Sequence, residues 1–324
     1  YYALYIYKLA TRYKGKIKFY EVWNEPGFDY TGDKGALFKG FPDSWWDNNP
    51  SPCDYKLRAP IFNYIRLLRI TYEVVKYVDS NAYVMTSGLG YPSFLDAILR
   101  NTDNSGNGKI DATHPLKGGA YFDGIGFHSY PHFDGALRSY DSINLKFINF
   151  RHSDAAAQDP QRIKASFEEV LKTYGYTGTQ FPKKLYIITE ANLPRFPFGD
   201  FVGSAEIQRN FIIKAYVNCT ANDIYQMHIF KIAEETTPEL LAYEFDVMGL
   251  YKKMNYTDKL HPEVNDEGIA LRTSTQQLFG KKYDASRTQA MNLPNNINGA
   301  AFIDSVGIYT YVIWAKTTVD LSEV

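Results

Sequence analysis

Short runs of apolar, β-branched and aromatic residues punctuate this chain, with stretches of helical periodicity between them. Lys16–Trp23 (KIKFYEVW), Ala82–Ser87, Phe122–Tyr130, Lys184–Thr189 and Ile224–Phe230 each read as a buried strand. Pro60–Val78 places Ile61, Tyr64, Ile65, Leu68, Tyr72 and Val75 on one helical face, the pattern of a helix packed on a core. Tyr1–Tyr13, Ser93–Leu99, Gln161–Tyr174 and Ala205–Val217 carry the same period, and Ser274–Phe279 is a shorter stretch of it.

Strands alternating with helices predict a parallel sheet covered by helices. No G-x-G-x-x-G turn follows any strand, which argues against a doubly wound dinucleotide-binding sheet. In a (β/α) barrel the chemistry sits at the C-terminal ends of strands. Glu25, His128, Tyr130, Glu190 and Lys231 all fall at such ends. The expected fold is therefore an α/β protein of the (β/α)8 TIM-barrel class. Five strands are visible where eight are needed. If Lys16–Trp23 is the fourth, the first three βα units, on the order of 90–120 residues, lie outside this chain. After the last helix, Ala301–Asp304 and Ile308–Ala315 read as strands with no helix between them, the start of a C-terminal β-sandwich. The expected domains are a barrel over 1–285 and a β-rich segment over 286–324.

Composition narrows the partners. The net charge of −1 gives no basis for a nucleic-acid partner. No apolar run reaches the roughly 18 residues of a membrane span, so no membrane partner is expected either. Aromatic residues are plentiful at 16%, with 27 Tyr and 21 Phe, and such rings can serve as platforms for the apolar face of a sugar. Two cysteines, Cys53 and Cys219, form no disulfide framework, and with the six histidines they show no zinc spacing. Asp103–Asp111 resembles a calcium loop, but Ser105 stands at its third position and His114 at its twelfth. It reads as a polar turn. No metal and no cofactor are expected. Sequons occur at Asn218-Cys219-Thr220 and Asn255-Tyr256-Thr257.

The chemistry concentrates in two places. Trp23-Asn24-Glu25-Pro26 closes a strand, and Pro26 ends the ladder so that Glu25 is fixed at the rim. Ile187-Ile188-Thr189-Glu190-Ala191-Asn192 puts a second carboxylate directly after an apolar run. Glycoside hydrolysis needs two carboxyl groups flanking the scissile bond, one to give a proton and one ionised. An amide beside the acid, here Asn24, can hydrogen-bond the sugar 2-hydroxyl. Two strands separate the glutamates, so they belong to the fourth and seventh strands in this register.

These motifs resemble glycoside hydrolase clan A, retaining barrels with acid/base Glu after Asn on the fourth strand and nucleophile Glu ending the seventh. Within the clan the chain is most similar to family 39, the β-xylosidase and α-L-iduronidase family. The resemblance rests on Glu21-Val22-Trp23-Asn24-Glu25-Pro26, Gly126-Phe127-His128-Ser129-Tyr130 and Thr189-Glu190-Ala191-Asn192. It implies a retaining O-glycosidase with Glu25 as general acid/base and Glu190 as nucleophile, cleaving a plant or microbial polysaccharide, oligosaccharide or glycoside. It also implies His128 and Tyr130 near the nucleophile, with the Tyr130 hydroxyl orienting Glu190. The negative charge of Glu190 would keep Glu25 protonated in the free protein. An extracellular or periplasmic setting is expected.

The sequence departs from the clan at the eighth strand, where many members carry a sugar-stacking Trp. Ile229-Phe230-Lys231 stands there instead, making Phe230 and Lys231 candidate substrate contacts. Trp45 and Trp46, in the loop Gly27–Arg58, are candidate stacking platforms. Two other readings stay open: a non-catalytic carbohydrate-binding barrel, and a metal-dependent hydrolase using His128, His132 and Glu190.

Overall fold

Each segment read as a buried strand contains a strand, though the one in Lys184–Thr189 runs on to Ala191 and the one in Ile224–Phe230 is exposed or half-buried rather than buried. The structure is a computed structural model describing residues 1–29, 39–133, 135–234, 242–252 and 262–323. In chain order the elements are α1 (Tyr2–Arg12), β1 (Phe19–Glu21), α2 (Ile61–Val78), β2 (Tyr83–Met85), α3 (Pro92–Arg100), β3 (Gly124–Ser129), β4 (Arg138–Asp141) and β5 (Lys146–Asn149). They continue with α4 (Ser153–Ala156), α5 (Asp159–Thr173), β6 (Leu185–Ala191), α6 (Ala205–Ala221), β7 (Gln226–Ile229), α7 (Asp266–Leu278), β8 (Lys282–Tyr283), α8 (Ala285–Ala290), β9 (Ile297–Ile303) and β10 (Tyr309–Ala315). The sequon at Asn255 and part of the Gly27–Arg58 loop lie outside the described residues.

The chain forms two compact units. The first comprises Tyr1–His128 and Lys164–Thr189, the second Ser129–Ile163 and Glu190–Val324. In the first, the strands run β1-β2-β3-β6. β1 pairs in parallel with β2 through Phe19–Tyr83, Tyr20–Val84 and Glu21–Met85, and β2 with β3 through Met85–Gly124. The Leu185 N–H donates to the Asp123 carbonyl at 3.1 Å where β6 joins β3. Val84, Ile125, Phe127, Ile187 and Ile188 are fully buried, the near-continuous apolar content of strands covered on both faces. α2 buries Ile61, Tyr64, Ile65, Leu68, Thr71 and Val75, a three-to-four-residue stripe. α1 buries Ile6 and Ala10 and is tied to α2 by a 2.8 Å hydrogen bond between the Tyr2 and Thr71 hydroxyls.

The polar turn at 103–111 spends its side chains on the protein. Asp103 is buried and receives Arg66 at 2.7 Å and Arg69 at 3.3 Å. Asp111 accepts the backbone N–H groups of Thr113 and His114, and its carboxyl lies at about 2, held there chiefly by the His114 N–H.

In the second unit, the Phe230 N–H donates to the Ala191 carbonyl at 3.1 Å, joining the end of β6 to the end of β7. α6 starts at Ser204, whose hydroxyl accepts the Ile207 N–H, and packs against α7. β8, β9 and β10 form a three-stranded antiparallel sheet. Its Ala300 and Phe302 share a core with Val217 of α6 and Leu278 of α7. Asp154 gathers Lys214, Thr317 and the Trp314 indole N–H around the same packing. The β4–β5 hairpin carries no turn signal strong enough to be read from sequence. Both cysteines are free thiols, Cys53 exposed and Cys219 buried. No described helix is long and apolar enough to cross a membrane.

Candidate active site

Glu25 sits where β1 gives way to a turn. The Val22 N–H still donates to the Met85 carbonyl at 3.3 Å. The chain then bends through two non-glycine residues in the left-handed region, Trp23 at φ 77° and Glu25 at φ 47°. Such a conformation costs roughly 1–3 kcal/mol per residue and persists where surrounding contacts over-determine it. Those contacts are visible. The loop folds back on itself, with the Leu57 N–H donating to the Pro26 carbonyl at 3.2 Å and the Lys56 N–H to the Phe28 carbonyl at 2.7 Å.

The fold-back delivers Lys56 to Glu25. The Lys56 ammonium donates to Glu25 Oε2, and His128 Nδ1 lies 2.9 Å from Oε1. Burial pushes the Glu25 carboxyl up, but the hydrogen bonds and charges of His128 and Lys56 outweigh it, and the net shift is downward. This corrects the expectation that Glu25 is held protonated in the free protein: two donors stabilise its ionised form. Lys56 was missed because nothing in the sequence marks a lysine 31 residues beyond a carboxylate as its partner.

His128 is buried on β3. A Cβ at Gly88, which sits at φ 39°, would meet His128 Nε2 at 2.6 Å, so a glycine is needed for the ring to lie there. Glu21, the last residue of β1, accepts the Gly88 N–H at 3.0 Å and the Thr189 hydroxyl at 2.9 Å, tying strand ends together. Asn24 is exposed beside Glu25.

In the second unit Tyr130 and Glu190 meet. The Tyr130 hydroxyl donates to Glu190 Oε2 at 2.5 Å. The Tyr130 ring is held edge-on by Phe245 at 5.1 Å and Phe230 at 6.1 Å between centroids. His132 packs within the same aromatic cluster, 4.2 Å from Phe133. It is fully buried with neither ring nitrogen partnered, and burial, with Arg138 nearby, lowers it to about 3, so the ring is neutral.

Asn192 locks the chain just past Glu190. Its Nδ2 donates to the Phe230 carbonyl, to the Met248 carbonyl at 2.8 Å and to Glu267 Oε1 at 2.7 Å. Its Oδ1 accepts the Leu193 N–H at 2.7 Å. Glu267 is fully buried, and desolvation raises its carboxyl well above the ordinary range despite the Asn192 bond. Burial thus favours its neutral form, which serves as a fixed acceptor for Asn192. Glu267 and Phe245 were not legible as site residues, because each is distant in sequence from the motif it supports.

The remaining candidates divide. Phe230 is half-buried against Tyr130, and Lys231 continues from it with its backbone N–H on the Met248 carbonyl at 2.9 Å. Trp45 is fully buried, with its indole N–H on the Gly27 carbonyl at 3.3 Å and its ring against Tyr55 and Phe94. The stacking role expected for Trp45 is therefore corrected: both faces are spent anchoring the loop. Trp46 is half-buried.

No protein-family model matches the sequence, and no curated protein matches it. Solved structures do share the fold. One is a family 39 glycoside hydrolase from the gut symbiont Bacteroides cellulosilyticus WH2, with 15% identity and a TM-score of 0.55 over 97% of this chain and 51% of that one. Another is a glucosidase from Croceicoccus marinus, with 13% identity and a TM-score of 0.50 over 94% of this chain and 51% of that one. The chain thus spans about half the length of the structures it matches. The likeness to family 39 read from the sequence recurs in the α/β barrel-like fold.

Proposed function

We propose that this chain belongs to a retaining O-glycosidase acting by double displacement on a plant or microbial glycoside. The observation that carries the reading is the Tyr130 hydroxyl on Glu190 Oε2 at the end of β6, an oriented carboxylate where a barrel places its chemistry. Two strands, β2 and β3, lie between β1 and β6 in the sheet, the spacing that the fourth and seventh strands of a barrel would have.

In this mechanism Glu190 attacks the anomeric carbon while Glu25 gives its proton to the leaving oxygen, forming a glycosyl–Glu190 ester. Water then attacks the same anomeric carbon, Glu25 takes the water proton, the bond from that carbon to Glu190 breaks, and Glu190 leaves as carboxylate. The lowered Glu25 suits the second step directly. For the first, substrate must displace Lys56 from Oε2 so that a proton can reside there. Asn24 would bond the 2-hydroxyl, and His128, Phe230, Lys231 and Trp46 would contact the sugar.

The Lys56–Glu25 pair also favours a second reading, a carbohydrate-binding barrel whose acid is permanently neutralised. Nothing seen of His132, buried among Phe133, Phe201 and Phe245, favours the metal-dependent hydrolase. Nitrophenyl glycosides offered to the full-length protein with and without EDTA test all three. Chelator-resistant turnover, abolished in Glu190→Ala and partly restored by azide as the glycosyl azide, is the expected result. Absence of turnover on every glycoside would leave the binding barrel.

A further inference from the structure

A cavity of about 750 Å³ opens in the second unit, lined by residues of α4, α5, α6, β9 and the start of the β4–β5 hairpin. Its volume lies within the roughly 300–1,000 Å³ of small-molecule sites. It contains none of the proposed catalytic residues. Ser129, ending β3, reaches toward it through Asp159, whereas Tyr130, next along the chain, reaches Glu190. Successive residues of an extended chain leave it on opposite sides.

We propose that this cavity is a second, non-catalytic site that binds a neutral oligosaccharide. Its lining holds five carboxamides, Gln158, Gln161, Asn218, Asn222 and Asn298, with Phe150 as an aromatic wall. A carboxamide presents a donor and an acceptor in one plane, which matches the paired hydroxyls of a sugar ring, and the wall matches its apolar face.

Four of the amides are already oriented by the protein. Asn218 Nδ2 donates to the Ala157 carbonyl at 3.1 Å and Asn222 Nδ2 to the Asn218 carbonyl at 2.8 Å. Asn298 Oδ1 accepts the Gly299 N–H at 2.9 Å. The Gln161 amide nitrogen, in the orientation that satisfies it, donates to the Ala157 carbonyl at 2.9 Å and the Gln158 carbonyl at 3.0 Å. Each bond fixes one half of an amide and presets the other half for a ligand, so little side-chain entropy is lost on binding.

The charges cancel, which selects a neutral ligand over an anion. Arg162 is paired with the buried Asp159 at 2.6 Å, and Asp159 Oδ2 accepts the Ser129 hydroxyl at 2.7 Å. His152 is buried and accepts the Ala155 N–H at 3.2 Å, capping α4. Burial lowers its pKa, which favours the uncharged ring. Among the described lining residues, no cation remains unpaired to attract a phosphate or a uronate. This inference rests on the cavity's own lining and not on the roles given to Glu25 and Glu190.

The test is calorimetric titration of the full chain bearing Glu190→Gln, which prevents turnover, with xylohexaose, cellohexaose and hexagalacturonate. At least one neutral hexasaccharide should bind, and hexagalacturonate at least tenfold more weakly. Phe150→Ala with Gln158→Ala should weaken the neutral binding at least tenfold. Asn222→Trp, which fills the cavity from an exposed helix end, should do the same without touching the core. With Glu190 restored, these variants should keep native turnover of a small aryl glycoside. Neutral binding unmoved by the variants, equal binding of hexagalacturonate, or no neutral binding would each overturn the site. Cavity-dependent binding in a chain that hydrolyses nothing would keep this inference and remove the glycosidase.

Discussion

Tyr130 reaches Glu190 across 2.5 Å, and its ring is pinned edge-on by Phe245 at 5.1 Å. The hydroxyl is thus placed by packing as much as by its own hydrogen bond. A hydrogen bond to a charged group contributes about 1.5–3 kcal/mol. Tyr130→Phe should therefore lower kcat/KM on an aryl glycoside by roughly 10–100-fold at one decade per ~1.4 kcal/mol. Phe245→Ala should lower it in the same direction by less, because the hydroxyl remains but loses its fixed direction. Turnover of Tyr130→Phe within twofold of native would deny the hydroxyl any part in the chemistry.

Glu25→Ala should discriminate between leaving groups. An activated aryl glycoside departs without a proton, whereas an alkyl or sugar leaving group needs one. The variant should form the glycosyl–protein ester from the activated substrate at near-native rate and from the poor one at least about a hundredfold more slowly. Single-turnover kinetics on the two substrates reads this directly. Equal slowing of both would remove the general-acid role.

Lys56 should govern the pH profile. It favours the ionised form of Glu25, so Lys56→Met should raise the Glu25 pKa. The alkaline limb of kcat/KM reports the acid's ionisation in the free enzyme, so that limb should move to higher pH in Lys56→Met and stay in place in Lys56→Arg. Stability follows with the opposite emphasis. A carboxyl lowered in the folded state contributes stability above its unfolded pKa and loses it as pH falls through the folded one. The native chain should therefore lose more stability on acidification than Lys56→Met, as measured by urea titration. A limb that does not move would mean Lys56 leaves Glu25 before the proton is set.

Glu267 predicts an alkaline weakness. Its raised carboxyl binds a proton more tightly when folded. That contribution is fully present below the unfolded carboxyl pKa and is lost as pH rises through the folded one. Glu267→Gln keeps the acceptor for Asn192 and cannot ionise, so it should match the native chain near pH 5 and exceed it at pH 9 in denaturant midpoint. Glu267→Ala should cost about 2–5 kcal/mol at either pH, from the cavity and the lost acceptor.

Trp45 should behave as core. Trp45→Ala is expected to destabilise by about 3–5 kcal/mol, seen as a lower thermal midpoint. Trp45→Phe should recover most of the stability and leave KM for an aryl glycoside unchanged. A raised KM with an unchanged midpoint would restore its role as a sugar platform.

The parallel strands and their helices were legible because burial on both faces writes an apolar run, and one-faced burial writes a helical stripe. Ile61 to Val75 on α2 carries such a stripe, and the helix buries five of its six residues, with Thr71 buried where Tyr72 was expected. Glu25 and Glu190 were legible because a carboxylate directly after an apolar run has few places to go. Lys56, Phe245 and Glu267 were not, since each reaches the site through a loop or helix whose return path no local pattern encodes. Trp45 was misread for a related reason: a tryptophan in a loop looks the same in sequence whether its ring faces solvent or, as here, Tyr55 and Phe94. The ionisation of Glu25 was misjudged because only its acidic neighbour could be inferred.

The left-handed backbone at Glu25 sets a limit on how this motif can be improved. Asparagine and glycine occupy that conformation more readily than glutamate does, so Glu25→Asn and Glu25→Gly would relax the turn while deleting the acid. A search for thermal stability alone would be drawn to that position and would return a sturdier, silent barrel. Selection that keeps Glu25 has accepted a tense turn in exchange for a carboxylate, and a laboratory lineage screened without substrate would be free to abandon it.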